Sequence, residues 1–302
     1  MRRIFKLWGA VMAVTVLLSA IATTGLGLDL ENSTSIDARA PTLSGCFGRN
    51  KDGKDQSWNL EKCTYKQFGN RDTILLVGDS TAASLADGMI AAARELNFSL
   101  VVLPSSGCLF ATRQPYSYER CNSFATDAQN LIGKIRPKIL VVTAFLSRMD
   151  LDDRRVRLPD GSLPKSLEER LRATMFAIEE QLVLVRESQP EIPVIVVGEI
   201  PTIQFALPSL IFDQSVNRTV SREELGFKRQ QEYLMRLEQA VSSIEGVRFL
   251  DLTESFCDSK QCSAISRSGE MLYLDSYHLN PTGSELLVPQ LLTILNLSIQ
   301  EI

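Results

Sequence analysis

Histidine and metal-binding patterns are scarce in this chain of 302 residues. His278 is the only histidine, so any histidine-dependent reaction has one candidate base. The chain has no Cys-x-x-Cys pair, and a zinc site built from cysteine and one histidine is therefore not expected. It also lacks the Gly-x-x-x-x-Gly-Lys-Ser/Thr motif that binds nucleotide phosphates. We accordingly expect no metal and no cofactor.

The chain also lacks an excess of positive charge. It has 32 lysines and arginines against 36 aspartates and glutamates, which gives a formal net charge of -4. These residues are scattered along the sequence, whereas a nucleic-acid-binding protein concentrates its basic residues on one face. Nucleic acid is therefore excluded as an expected partner.

Charge is missing altogether from a long stretch near the N-terminus. Two arginines and a lysine occur within the first six residues, and the next charged residue is Asp29. The apolar run between them, followed by Ala20 and Ala22, is typical of a secretory signal. It is also long enough for a membrane helix of about 20 residues. Residues 1–28 are thus either a signal peptide or an N-terminal membrane anchor, and the rest is exported because positive residues stay inside.

The six cysteines agree with export. An even number of cysteines in an exported chain indicates disulfides, although six cysteines allow 15 pairings. We prefer the pairing of nearest neighbours and leave the others open. The preferred pairs are Cys46–Cys63, Cys108–Cys121 and Cys257–Cys262.

The remainder of the chain divides into a polar lead-in segment, residues 29–70, and a domain, residues 71–302. Within the domain, short apolar runs alternate with helical patterns. The predicted strands are Thr73–Val77, Ser99–Leu103, Ile139–Thr143, Val194–Val197 and Val247–Leu250. The predicted helices are Ala82–Glu95, Ser123–Ile135, Ser166–Glu187, Arg222–Ser243 and Pro281–Asn296. This alternation predicts an α/β fold: a three-layer α/β/α sandwich around a five-stranded parallel sheet.

The first predicted strand ends in Gly78-Asp79-Ser80 and is followed by a run of small residues. Functional groups in parallel sheets gather at the carboxyl ends of the strands. A polar surface turn would need no small neighbours, whereas a nucleophile needs a tight turn and room for a substrate. We therefore interpret Ser80 as a candidate nucleophile and Asp79 as a polar turn residue.

The candidate base lies near the other end of the chain, in "YLDSYHLNPTGSELL". Asp275 precedes His278 by three residues, a spacing that can bring the carboxylate to the imidazole Nδ1 and leave Nε2 for a serine proton. Asn280 and Pro281 resemble a helix N-cap followed by proline at the first helical position. His278 is therefore expected on a loop just before the last helix.

These motifs together resemble the SGNH (GDSL) hydrolases over roughly residues 73–296. "VGDS" resembles the first block of that family and "DSYHL" its last. The chain looks most similar to periplasmic SGNH domains that lie beside or are fused to membrane acyltransferases acting on cell-surface polysaccharides. Three further motifs carry this closer resemblance, namely "PSSGC", "FCDSKQC" and the run from Asp275 through Gly283. The resemblance implies a flavodoxin-like sheet.

The resemblance also implies residue roles. Ser80 would form an acyl-enzyme, His278 would act as general base and then general acid, and Asp275 would orient the imidazole. The N–H groups of Ser80 and Gly107 would form the oxyanion hole, unless Gly107 only shapes a turn beside a disulfide. SGNH enzymes usually add an asparagine after the third strand, but this chain reads "VVTAFLSRMD" there. Arg148 is the expected substitute, unless it pairs with a nearby aspartate.

Three functions fit this pattern. The first is a periplasmic esterase or acyltransferase that acts on acetyl groups of a polysaccharide, with a membrane acyltransferase as a possible partner. The second is a hydrolase of a lipid or thioester, whose apolar channel the segment "FALPSLIF" would line. The third is a non-catalytic module that binds carbohydrate or docks to a partner. For a sugar, the stacking candidates are Tyr116, Tyr118 and Tyr277.

Overall fold

The computed structural model of the chain describes residues 46–49, 56–65, 72–112, 121, 123–146, 156–203 and 219–300. The predicted signal or anchor, residues 1–28, lies outside the described residues. Within the parts that are described, no helix has the length and apolar character needed to cross a membrane.

The central element is a six-stranded sheet with the strand order β3-β5-β4-β6-β7-β9. Its strands are β3 (Thr64–Tyr65), β4 (Thr73–Gly78), β5 (Ser99–Pro104), β6 (Ile139–Thr143), β7 (Val194–Val197) and β9 (Val247–Leu250). The five strands from β4 onward are mutually parallel, as the alternating pattern predicts. The α/β class and the parallel sheet are thereby confirmed.

The predicted count of five strands is wrong by one, because β3 adds an antiparallel edge next to β5. This strand has only two residues, which is too short to produce a detectable period in the sequence. It lies in the lead-in segment directly after Cys63, whose disulfide with Cys46 is fully buried. The backbone of Cys63 also accepts a hydrogen bond from the Val102 N–H at 3.0 Å, so this part of the lead-in completes the sheet.

Six α-helices of the described residues cover the two faces of the sheet. They are α1 (Ser80–Glu95), α2 (Phe124–Ile135), α3 (Leu167–Ser188), α4 (Leu225–Val241), α5 (Pro281–Glu285) and α6 (Val288–Ile299). Successive strand residues alternate between two cores: Ile74 and Leu76 pack with α1 and α6, while Leu75 and Val77 pack with α2, α3 and α4. Each fully buried aliphatic side chain contributes about 1.5–3 kcal/mol, so these alternating strands fix the three layers.

The last predicted helix, Pro281–Asn296, is in fact two helices. α5 ends at Glu285 and α6 begins at Val288, with Pro289 in its first turn. Proline has no N–H to donate to the carbonyl four residues earlier and its ring crowds that carbonyl, so one continuous helix cannot form there. The short α5 is consequently independent of α6. It directly follows residues 274–280, the loop that carries His278 and is called the histidine loop below.

Two small antiparallel pairs complete the described structure: β1 (Phe47–Arg49) with β2 (Gln56–Trp58), and β8 (Thr219–Ser221) with β10 (Gln261–Ser263). A 3-10 turn, Thr253–Ser255, precedes β10 in the chain. Three disulfides are present, and each joins nearest neighbours along the sequence. They are Cys46–Cys63, Cys108–Cys121 and Cys257–Cys262.

Candidate active site

The turn that presents Ser80 depends on close approach of two strand ends. A Cβ atom on Gly78 would lie 2.2 Å from Thr143 Oγ1 and 2.6 Å from the Thr143 carbonyl oxygen, so only glycine fits there. Asp79 caps α1, because its Oδ1 accepts a hydrogen bond from the Thr81 N–H at 2.9 Å. Ser80 is then the first residue of the helix and lies at the carboxyl edge of the sheet, 8% exposed.

The small residues after this turn serve helix packing rather than substrate entry. Ala82 and Ala86 are fully buried. A Cβ atom on Gly88 would lie 2.2 Å from the Ser284 carbonyl oxygen, and the Gly88 N–H donates to Ser284 Oγ at 2.8 Å. The run of small residues therefore lets α1 contact α5, which follows the histidine loop. The interpretation that they make room for a substrate is replaced by this one.

The histidine loop is held by its own hydrogen bonds. The Leu274 N–H donates to the His278 carbonyl oxygen at 2.8 Å, which closes the loop. Asp275 Oδ1 accepts from the N–H groups of Tyr277 at 3.0 Å and His278 at 2.9 Å. Asn280 caps α5 with its side chain, as the Asn-Pro pair indicates. These bonds within the loop fix the carboxylate and the imidazole relative to each other without any contribution from Ser80.

Ser80, His278 and Asp275 form a continuous hydrogen-bonded row. His278 Nε2 lies 2.8 Å from Ser80 Oγ, and His278 Nδ1 lies 2.7 Å from Asp275 Oδ2. Because an ionised carboxylate can only accept, Nδ1 carries the imidazole proton and Nε2 is the acceptor for the serine hydroxyl. His278 is 1% exposed, so this contact is shielded from water. The arrangement can remove a proton from Ser80.

The loop that carries Gly107 is pinned at both ends. The Ser105 N–H donates to the Gly78 carbonyl oxygen at 2.8 Å, and the Thr112 N–H donates to the Ala177 carbonyl oxygen on α3 at 3.2 Å. Gly107 has a φ of 74°, a conformation that favours glycine. Among the hydrogen bonds of the described residues, none uses the Gly107 N–H. This donor is consequently available at the same edge as Ser80.

Several residues named from the sequence lie outside the described part of the chain. They are Arg148, its possible aspartate partners, Tyr116, Tyr118 and the "FALPSLIF" segment. Tyr277 is described, and its ring stacks on Phe145 with centroids 5.0 Å apart and also contacts the His278 ring at 4.6 Å. These contacts favour a role for Tyr277 in supporting the histidine over a role as a sugar platform.

Two buried carboxylates lie near the site; from the sequence, Asp79 was interpreted as a polar turn residue and Glu199 was not named. Asp79 Oδ2 accepts from the Phe145 N–H, and Glu199 Oε2 accepts from the Leu146 N–H, both at 3.0 Å. Burial raises the pKa of Asp79, and its hydrogen bonds from Thr81 and Phe145 oppose that rise. The sequence does contain an indication that these acids lie near the site, because each follows a buried strand by one or two residues.

The site is thus a serine, a histidine and an aspartate in contact at the carboxyl edge of a parallel α/β sheet. The family model described as "SGNH domain (fused to AT3 domains)" matches residues 45–293. The chain belongs to this family. The match begins just before Cys46, so it includes the short strand β3 as well as the larger sheet.

The chain is also similar to solved structures, and the first of the following two shows the same fold. The periplasmic domain of a lipopolysaccharide acetyltransferase from Salmonella ser. Paratyphi A matches with a TM-score of 0.61 at 13% identity, covering 88% of this chain and 98% of that one. A carbohydrate acetylesterase family member from Sinorhizobium meliloti matches with a TM-score of 0.47 at 12% identity, covering 76% and 99%. No curated protein matches the chain by sequence.

Proposed function

We propose that the protein is an exported serine O-acyl esterase or acyltransferase that acts on acetyl groups of an envelope or exported polysaccharide. The observation that carries this proposal is the row of three side chains, with His278 Nε2 2.8 Å from Ser80 Oγ and Nδ1 2.7 Å from Asp275 Oδ2. Those distances lie within the hydrogen-bond reach that proton transfer from a serine requires.

In the first half-reaction, Ser80 Oγ attacks the carbonyl carbon of the ester while its proton moves to His278 Nε2. Asp275 keeps the imidazole in the required tautomer and stabilises the positive charge that forms. The tetrahedral intermediate then collapses, the bond to the alcohol oxygen breaks, and His278 returns the proton to that oxygen. The products are a free hydroxyl and an ester of Ser80.

The negative oxygen of the intermediate needs hydrogen-bond donors. The N–H of Ser80 lies in the first turn of α1, where the helix itself provides no acceptor, and the Gly107 N–H is the second donor. Each such donor contributes about 3 kcal/mol to stabilising the transition state. Arg148, which lies outside the described residues, is proposed as the third donor in place of the usual asparagine.

In the second half-reaction, His278 removes a proton from the group that attacks the Ser80 ester. If that group is water, the reaction is hydrolysis, and if it is a sugar hydroxyl, the acetyl group is transferred. The choice of acetyl and polysaccharide extends to this chain what the name of the Salmonella protein states, a lipopolysaccharide acetyltransferase. The three disulfides support a location outside the cytoplasm, and a membrane acyltransferase is the proposed partner.

The proposal is tested by covalent labelling of the full chain with a fluorophosphonate, followed by peptide mapping. Labelling is expected at Ser80 alone and is expected to disappear in His278→Ala, because the serine then has no base. Ser243→Ala is the matched control, since this serine is exposed and belongs to neither motif. Folded protein that takes up no label would contradict a catalytic function and favour the non-catalytic binding module.

The acyl group is tested by comparing p-nitrophenyl acetate with p-nitrophenyl octanoate. Faster turnover of the acetate ester is expected, and a preference for octanoate would instead support the lipid esterase. An oligosaccharide is then added to the acetate reaction, and the product is identified by mass spectrometry, which distinguishes transfer from hydrolysis. An acetylated oligosaccharide shows transfer, whereas acetate alone shows hydrolysis.

A further inference from the structure

Two consecutive backbone amides after β6 are each bound by a buried carboxylate from a neighbouring strand. The Phe145 N–H donates to Asp79 after β4, and the Leu146 N–H donates to Glu199 after β7, both at 3.0 Å. In the sheet, β6 lies between β4 and β7. The segment 144–146 is therefore held from both sides at the carboxyl edge.

These two acids are more than is needed to satisfy the amides. Asp79 and Glu199 are only 3% and 2% exposed, and a carboxylate is strongly destabilised by leaving water. A neutral carbonyl oxygen would satisfy each amide without that penalty. Because the two acids follow different strands, their hydrogen bonds fix this segment relative to both β4 and β7.

The held segment contacts the catalytic base through its aromatic ring. Phe145 is 6% exposed, and its ring stacks on Tyr277 with centroids 5.0 Å apart at 29°. The Tyr277 ring in turn contacts the His278 ring, with centroids 4.6 Å apart. A shift of the Phe145 backbone would therefore be transmitted to the imidazole.

The same segment is also joined to the nucleophile. Asp79 Oδ1 accepts from both the N–H and the hydroxyl of Thr81, at 2.9 and 2.7 Å. Thr81 Oγ1 lies 2.8 Å from Thr143 Oγ1, at the end of β6. Asp79 thus binds the turn of Ser80 with one oxygen and the support of His278 with the other.

We propose that Asp79 and Glu199 are positioning residues that fix the segment 144–146, and through Phe145 and Tyr277 set the distance and angle between His278 and Ser80. The inference rests on the proposed function, because it assigns these acids a role in the reaction of Ser80. It gives Asp79 a second role beyond capping α1.

Asp79→Asn separates these two roles. Asparagine is as good an N-cap as aspartate, and its oxygen can accept from Thr81. Its NH₂ group then faces the Phe145 N–H, so that hydrogen bond is lost. Glu199→Met removes the acceptor for the Leu146 N–H at nearly constant side-chain length. The matched control is Asp258→Asn, since Asp258 also accepts two backbone N–H groups, from Lys260 and Gln261, but in an exposed loop.

The single histidine permits a direct readout. In full-length protein labelled with ¹⁵N-histidine, every imidazole resonance belongs to His278. We expect these resonances to move in Asp79→Asn and Glu199→Met, and kcat for p-nitrophenyl acetate to fall about tenfold or more with KM unchanged. The control variant is expected to change neither quantity.

Unchanged resonances and kcat in folded Asp79→Asn and Glu199→Met would overturn the inference. If neither variant folds, Phe145→Leu provides the test, because it keeps both carboxylates and both amides but removes the stacked ring. An unchanged His278 spectrum and kcat in that variant would also overturn it. Failure of the proposed function is distinguishable, because wild-type protein would then turn over no ester whatever the variants' spectra show.

Discussion

The two halves of the candidate site are built by different means. The half that holds Ser80, His278 and Asp275 consists of side chains from two short motifs: Asp275 and His278 are three residues apart, and Ser80 lies 198 residues from His278 but in a recognisable motif of its own. The half around Gly107 and Phe145 consists of backbone N–H groups placed by distant contacts, such as the pair of Phe145 with Asp79, 66 residues apart. Side-chain chemistry can thus be read from a motif, whereas backbone donors depend on the whole fold.

The largest effects are expected in the side-chain half. Ser80→Ala and His278→Ala should each lower kcat for p-nitrophenyl acetate by a factor of about 10⁴ or more, because the nucleophile and its base act as one unit. For the same reason, the double variant should be about as slow as either single one. Steady-state kinetics measure this. Fully additive losses would show that the two residues act independently and would contradict the proposed mechanism.

This difference between the halves also explains what could be predicted from the sequence. The five parallel strands were located within one residue at each end, because each is a short apolar run between helical patterns. Ser80, His278 and Asp275 were named because they lie in short recognisable motifs. The edge strand β3 was missed because two residues cannot show a period, and the break before α6 was missed although Pro289 signals it.

The roles of Glu199 and Phe145 were out of reach for a physical reason. Glu199 binds a backbone amide 53 residues away, in the segment that follows β6, and the two come together only when β6 and β7 pair in the sheet. The same holds for Gly78, whose lack of a side chain is explained by Thr143 on the adjacent strand. Asp79 was interpreted as a turn residue, which is correct for its cap but omits its bond to Phe145.

The next largest effect tests the backbone half. Gly107→Ala places a side chain at a φ of 74°, where an L-residue is strained by about 1–2 kcal/mol. The strain should displace the N–H that we assign to the oxyanion hole, and kcat should fall by about 10²-fold, as for loss of one such donor. Kinetics with p-nitrophenyl acetate and thermal unfolding measure the two effects separately.

Gly269→Ala is the matched control for this variant. Gly269 has a φ of 89°, and an added Cβ there meets no other atom within 4 Å. The Gly269→Ala protein should be destabilised by the same backbone strain, and its kcat should be unchanged. Equal falls in kcat in the two variants would mean that strain alone lowers activity, and Gly107 would lose its assigned role.

A smaller effect is expected from removing disulfides, one beside the backbone half of the site and one elsewhere. Cys108 and Cys121 close a loop of 13-residue separation beside Gly107, whereas Cys257 and Cys262 are separated by 5. Replacing each pair by serine should lower the free energy of unfolding by about 3 and about 2 kcal/mol, respectively, in the chain-entropy model. Only loss of the first pair should also lower kcat. An equal fall in kcat for both pairs would show that Cys108–Cys121 has no special relation to the site.

The smallest effect concerns the charge of Asp79, because three hydrogen bonds oppose the effect of its burial. The pKa of Asp79 is raised from 3.8 in the folded protein, mainly by burial. Just above pH 3.8 the folded state therefore keeps a proton that the unfolded chain has released, and the stability contributed by this residue falls as the pH rises. The free energy of unfolding of the wild type minus that of Asp79→Asn should thus decrease from about pH 3.8 upward, because the other carboxyl groups cancel in the difference. Denaturant unfolding of both proteins at a series of pH values measures it. A difference that grows with pH would mean that the donors from Thr81 and Phe145 outweigh burial, and that Asp79 stabilises the fold as an anion.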